Sequence, residues 1–161
     1  MNTRLVIARG ALTALIVGVI AVGSAVAGAD DDDARKVVIS TPLAPAAIGP
    51  YSQAIRVGKT VYLSSQIAID PTTNQFMTGA SIEDQTRRVL ENLAGVLTAA
   101  GMTLDDVVNA TVYLQDLNDF AAMNQVYATF FKNAPPARAT IQVAGIPRNA
   151  KVSISAIAVA P

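Results

Sequence analysis

The chain has 161 residues, twelve basic and twelve acidic, with no histidine and no cysteine. Those absences exclude Ser–His and Cys–His nucleophile pairs, His or Cys metal centres and any disulfide framework. The balanced charge offers no footing for nucleic acid, so chemistry falls to Arg, Tyr, Ser/Thr, Asn/Gln, carboxylates or the backbone.

The first segment, MNTRLVIARGALTALIVGVIAVGSAVAGAD, sets Arg4 and Arg9 before an uncharged apolar run that ends in small residues. This is the layout of a secretory signal over residues 1–29, with cleavage after Ala27 or Ala29. Ala11 to Ala29 is nearly long enough to span a bilayer, so an uncleaved anchor is the alternative, and only then is a membrane a partner. Either way the chain is expected to be exported, periplasmic or secreted. Residues 30–36, opening with DDDD, read as an acidic linker: a solvated tail, with a cation site the other possibility. Beyond the signal the chain keeps ten basic against twelve acidic residues, a net charge of −2. Residues 37–161 form one domain of ordinary size.

KVVIS (36–40) reads as a short strand, followed by the proline-rich loop TPLAPAAIGPYSQ, which forbids regular pairing. SQAIRV and TVYLSSQIAI read as strands joined by a two-residue turn at Gly58-Lys59, and DPTTNQ (70–75) is turn chemistry. Ser81 begins SIED, an N-cap serine with an acid three residues on. Val89, Leu93, Val96, Leu97 and Ala100 then recur at helical spacing, and Gly101 is the stop. VVNATVYLQ (107–115) is a β-branched strand. DLNDFAAMNQVYATFF is a second helix with Asn118 as N-cap and Phe120, Met123, Tyr127 and Phe130 on one stripe, read as core packing. APPARATIQVAGIPRNAKVSISAIAVA (134–160) closes the chain as two strands. Two helices among six strands predict a two-layer α+β fold with both helices on one face of the sheet. The open face then needs a partner, and its apolar strands favour contacts between copies.

Arg138 is the strongest lone signal. A guanidinium held at a strand mouth beside apolar walls presents a planar fork suited to a carboxylate. An internal salt bridge to Asp105, Asp106 or Asp119, or plain surface exposure, is equally open on the pattern alone.

IGPYSQA (48–54), SSQIAID (64–70), DLNDFAAMNQVY (116–127) and PPARATIQV (135–143) together resemble the RidA (YjgF) family over residues 37–159. The resemblance implies a chorismate-mutase-like fold with a six-stranded mixed sheet, and a homotrimer with a pocket at each subunit interface. It also implies hydrolysis of 2-imino or enamine acids to 2-oxo acids and ammonia, without metal or organic cofactor. By the same resemblance Arg138 grips the substrate carboxylate. Tyr51, Ser64 and Asn118 line or border the pocket, although Asn118 also serves as the helix cap just assigned. Thr140, two residues past Arg138 and on its strand face, borders the same pocket, its backbone a candidate contact for the substrate nitrogen.

One position departs from the family. Its deaminases place a glutamate fifteen residues after the arginine to activate the attacking water; here that position is Ser153, followed on the same face by Ser155. A serine holds a water by hydrogen bond but is no base at neutral pH, and general-base assistance is worth about 10²–10⁴-fold. Weakened hydrolysis is therefore expected. The alternative is a non-catalytic trimer that binds small carboxylates or acts as a chaperone-like holdase. A ribonuclease, an older label for this family, is disfavoured by the missing histidine and the lack of a basic stripe.

Overall fold

A computed structural model describes residues 35–161. The expected signal over 1–29 and most of the acidic linker lie outside those residues. Six strands and two α-helices follow in the expected order: β1 (Val37–Ile39), β2 (Ala54–Val57), β3 (Thr60–Gln66), α1 (Ile82–Ala99), β4 (Val107–Leu114), α2 (Phe120–Phe130), β5 (Ala137–Gln142) and β6 (Val152–Val159).

Local chemistry sets the boundaries. Gly58, at φ +55°, closes the hairpin between Val57 and Thr60. The Ser81 hydroxyl accepts the Asp84 N–H at 3.1 Å and starts α1, and Gly101 at φ +71° follows its end. No basic residue lies in the last turn of α1; Arg56 of β2 supplies the cation instead, donating to the Ala100 carbonyl.

The strands form one mixed sheet in the order β1-β2-β3-β6-β4-β5. Only β4 and β5 run parallel, and α2 is the crossover between them. Val61, Leu63, Val112, Leu114, Val152 and Ile154 face the helices and pack with Val89, Leu93, Val96, Leu97 and Met123 in the buried core. Both helices thus cover one face. The other exposes apolar side chains, with Tyr62 50% and Ile141 45% accessible.

Two details differ from the sequence reading. Asn118 is not the cap of α2: residues Leu117–Asp119 form a 3₁₀ turn, and the Asp116 carboxylate accepts the Asn118 N–H at 2.9 Å. Asp116 caps that 3₁₀ turn because its side chain reaches forward to the N–H groups ahead of it, while Asp119, the residue before α2, makes no side-chain cap bond. The apolar stripe of α2 is also narrower than expected. Met123 and Tyr127 are buried, but Phe120, at the junction with the 3₁₀ turn, is 40% exposed.

Candidate functional site

β5 is an edge strand, hydrogen-bonded only to β4, so one row of its backbone groups is unpaired by the sheet. Arg138 stands opposite Ala110, and Thr140 opposite Val112, on the helix-facing side. There the guanidinium lies over the Tyr127 ring, 4.5 Å from its centroid. Tyr127 is 5% exposed and is itself stacked on Phe131, the ring centroids 4.5 Å apart. Pro135 and Pro136 complete the cleft with Asn124 and Ala128. Arg138 makes no ion pair among the described residues, so none of the three aspartates named above neutralises it. Half-buried, over an aromatic face and without an ion pair among the described residues, the planar fork has the geometry to pair with an external anion.

Burial pushes the Tyr127 phenol above its ordinary pKa, with the Arg138 charge pulling the other way. The hydroxyls of Tyr127 and Thr140 are both buried without a hydrogen-bond partner among the described residues.

A second feature lies on the opposite face. A cavity of about 400 Å³ is walled by Pro45, Ile48, Ile67, Ile69, Ile146 and Pro147, with Tyr51, Tyr113, Ser65 and Ser153 among its polar lining. Ser153 pairs in register with Tyr113, and the shared face follows from that pairing. The Ser153 hydroxyl donates to the Gln66 carbonyl at 3.1 Å and is hydrogen-bonded to Ser65.

Gln53 holds the loop that carries Tyr51. Its side-chain oxygen accepts the Thr41 N–H at 2.6 Å, and its amide donates to the Thr41, Ala44 and Pro45 carbonyls at 3.0, 3.1 and 2.7 Å. Prolines and a buried side-chain amide together make a rigid wall where no regular pairing is available.

Tyr51 and Ser153 thus line one cavity, while Arg138 with Thr140 sits across the sheet from them. Ser64 does not line that cavity; its hydroxyl donates to the Ser52 carbonyl at 2.6 Å. Asn118 is exposed on the turn before α2. Three residues that the sequence reading left out of the site belong to it. Ser65 bonds Ser153, Gln53 fixes the loop, and Tyr127, read as core, is the platform of Arg138.

The sequence model of the family described as Endoribonuclease L-PSP matches residues 41–160. The 2-iminobutanoate/2-iminopropanoate deaminase of Mus musculus is 49% identical over 122 residues, 76% of this chain and 90% of that protein. A RutC family protein of Saccharolobus solfataricus is 50% identical over 123 residues, covering 76% of this chain and 97% of its own. Among solved structures, RidA of an Antarctic Psychrobacter aligns with a TM-score of 0.74 at 43% identity, covering 77% of this chain and 99% of that one. Escherichia coli TdcF with bound serine aligns with a TM-score of 0.74 at 42% identity, over 78% and 99% of the two chains. With the family model matched over residues 41–160, relatives near 50% identity, and the sheet and two helices shared with the solved structures, the chain belongs to this family, the RidA (YjgF) or L-PSP family.

Proposed function

We propose that the protein hydrolyses small 2-imino acids to 2-oxo acids and ammonia, slowly for its family, at a site completed between copies of the chain. The observation that carries this reading is Arg138 itself: half-buried, seated on Tyr127 and free of any acid among the described residues. A close relative is a 2-iminobutanoate/2-iminopropanoate deaminase, and another was solved with an amino acid bound.

Within one chain the Arg138 cleft and the Ser153 cavity face opposite ways. A closed ring in which the edge strand of one copy meets the open face of the next unites them, and it covers Tyr62 and Ile141. A homotrimer is the ring we propose.

In that site the Arg138 fork takes the substrate carboxylate through two parallel N–H···O bonds. The unpaired backbone beside Thr140 faces the substrate nitrogen. Water adds to the C=N carbon to give a carbinolamine; the C–N bond then breaks, ammonia leaves and the C=O bond forms. Orientation supports the addition, since imines are electrophilic and need little activation. Ser153 can hold the water but cannot take its proton, which removes about 10²–10⁴-fold of rate relative to a glutamate.

The experiment is ammonia release from 2-iminobutanoate generated in situ, comparing the wild type with Arg138→Ala. A slow wild-type rate, lost in the variant, is expected; background release in both sinks the enzymatic reading. The neutral Ser153 favours one second reading, a trimer that binds small carboxylates without turnover. Titration with 2-oxobutanoate tests it, and equal affinity in Arg138→Ala removes Arg138 as anchor. We also propose that residues 1–29 direct export, checked by sequencing the N-terminus of protein recovered outside the cytoplasm.

A further inference from the structure

Ser153 is 7% exposed, and its hydroxyl donates to the Gln66 carbonyl at 3.1 Å. Its other partner is the hydroxyl of Ser65. A serine hydroxyl has one hydrogen to give. With that of Ser153 committed to the carbonyl, the contact between the two serines runs one way: Ser65 donates and Ser153 accepts. The hydrogen of Ser65 is then committed too, and only its lone pairs remain.

Ser65 is exposed, and both serines line the cavity on the open face of the sheet. The hydrogen-bonded chain from Ser65 through Ser153 to the Gln66 carbonyl therefore ends, on the cavity side, in a neutral acceptor. Each link polarises the next, so that outer oxygen is a better acceptor than an isolated hydroxyl. Among the described residues, no carboxylate lines the cavity to compete for a donor.

We propose that Ser65 is a specificity-determining residue, accepting an N–H from the nitrogen of an amino or imino acid whose carboxylate is held by Arg138. This rests on the proposed function: Arg138 anchors the carboxylate, and it comes from a neighbouring copy in the ring, since within one chain it lies across the sheet from Ser65. The chemistry of the two ends of the reaction makes the acceptor selective. A substrate nitrogen carries hydrogen to donate. The 2-oxo product carries at that place an oxygen with lone pairs alone, which would face the lone pairs of Ser65 unpaired. A site built to pair a donor rejects the analogue that lacks it. The serine chain thus binds nitrogen-bearing ligand and favours departure of the 2-oxo acid.

The test is calorimetric titration of the purified protein with 2-aminobutanoate and 2-oxobutanoate, which share a skeleton and differ at this group. The wild type is expected to bind the amino acid about tenfold to hundredfold more tightly, the range of one hydrogen bond from an ammonium group. Ser65→Ala is expected to erase the preference, and Ser65→Thr, which keeps the hydroxyl, to retain it. Equal affinities in the wild type, or a preference that survives Ser65→Ala, overturn the role of Ser65. If Arg138→Ala still abolishes binding of both ligands in that case, the carboxylate anchor stands. Absence of binding in the wild type, or unchanged binding in Arg138→Ala, overturns the anchor and the inference together.

Discussion

The guanidinium of Arg138 rests on the ring of Tyr127 with its carbon 4.5 Å from the ring centroid, and Phe131 backs that ring in turn. A long, flexible cation is thereby held without an acid among the described residues, which leaves its hydrogen-bonding edge open to a ligand. The ring is the contact the geometry shows. The buried phenol hydroxyl meets no well-aligned hydrogen-bond partner among the described residues, although the Arg138 guanidinium is near enough to oppose the rise of its pKa by charge and by hydrogen bonding. Tyr127→Phe is therefore expected to keep the affinity for 2-oxobutanoate. Tyr127→Leu keeps an apolar filling but loses the π face, and is expected to weaken binding about twofold to thirtyfold, the range of a cation–π contact. Equal affinities of the Phe and Leu variants would remove Tyr127 as a positioning residue.

Ser153 is not a free position awaiting a glutamate. In Ser153→Glu a methylene takes the place of the hydroxyl oxygen now in hydrogen-bond contact with Ser65, and a carbon does not tolerate an oxygen that close. The single substitution is expected to raise deaminase activity only modestly. Ser65→Gly with Ser153→Glu clears the space and is expected to exceed the single variant, with the general-base range of about 10²–10⁴-fold over wild type as its ceiling. Rates of ammonia release across the three proteins check this. A double variant no faster than wild type would show that the missing carboxylate is not what limits the reaction.

The eight elements were legible because each carried a periodic signal with punctuation at its ends: Ser81 and Gly101 around α1, Gly58 in the hairpin, Pro135 and Pro136 after α2. What strict periodicity could not supply was the irregularity in β3. Leu63 pairs with Ala156 but Gln66 with Ile154, three residues against two, a bulge in the strand. Simple alternation puts Ser64 on the open face; the extra residue turns Ser65 there instead, where it meets Ser153. Tyr127 was hidden for another reason. A buried aromatic on a helix stripe reads as core, and nothing local to α2 announces that an arginine from β5 will lie over it. Arg138 was found because a charge in an apolar strand is rare; its sheet face, opposite to that of Ser153, needed the register of three strands.

Gly95 sits within α1, where alanine is intrinsically better by about 1 kcal/mol. A Cβ built there lies 2.3 Å from the Leu43 carbonyl oxygen and 2.9 Å from its carbon. Backbone cannot swing aside as a side-chain end can, so the loop between β1 and β2 must lift from the helix. Gly95→Ala is expected to destabilise by about 1–3 kcal/mol, the overpacking range, against the sign of its helix propensity. Urea unfolding measures this. Faster hydrogen exchange at residues 41–53 locates the damage in the loop that carries Tyr51, and a stabilised variant would show that the loop is free to move.

The same tyrosine that seats Arg138 gives stability an alkaline limit. Burial holds its pKa above the ordinary 10.0, the Arg138 charge opposing but not cancelling the shift. As pH rises, the unfolded chain therefore releases this proton before the folded protein does. The unfolded state then binds fewer protons, and stability falls with pH. The contribution of the neutral buried phenol is complete below the unfolded pKa of about 10 and is lost as pH climbs through the folded value. Tyr127→Phe removes that titration while keeping the ring under Arg138. The urea midpoints of wild type and variant are expected to hold a constant difference from about pH 7 to 9 and to move in favour of the variant above about pH 10. Parallel loss in both proteins across that range would assign the alkaline transition to other groups and take Tyr127 out of it.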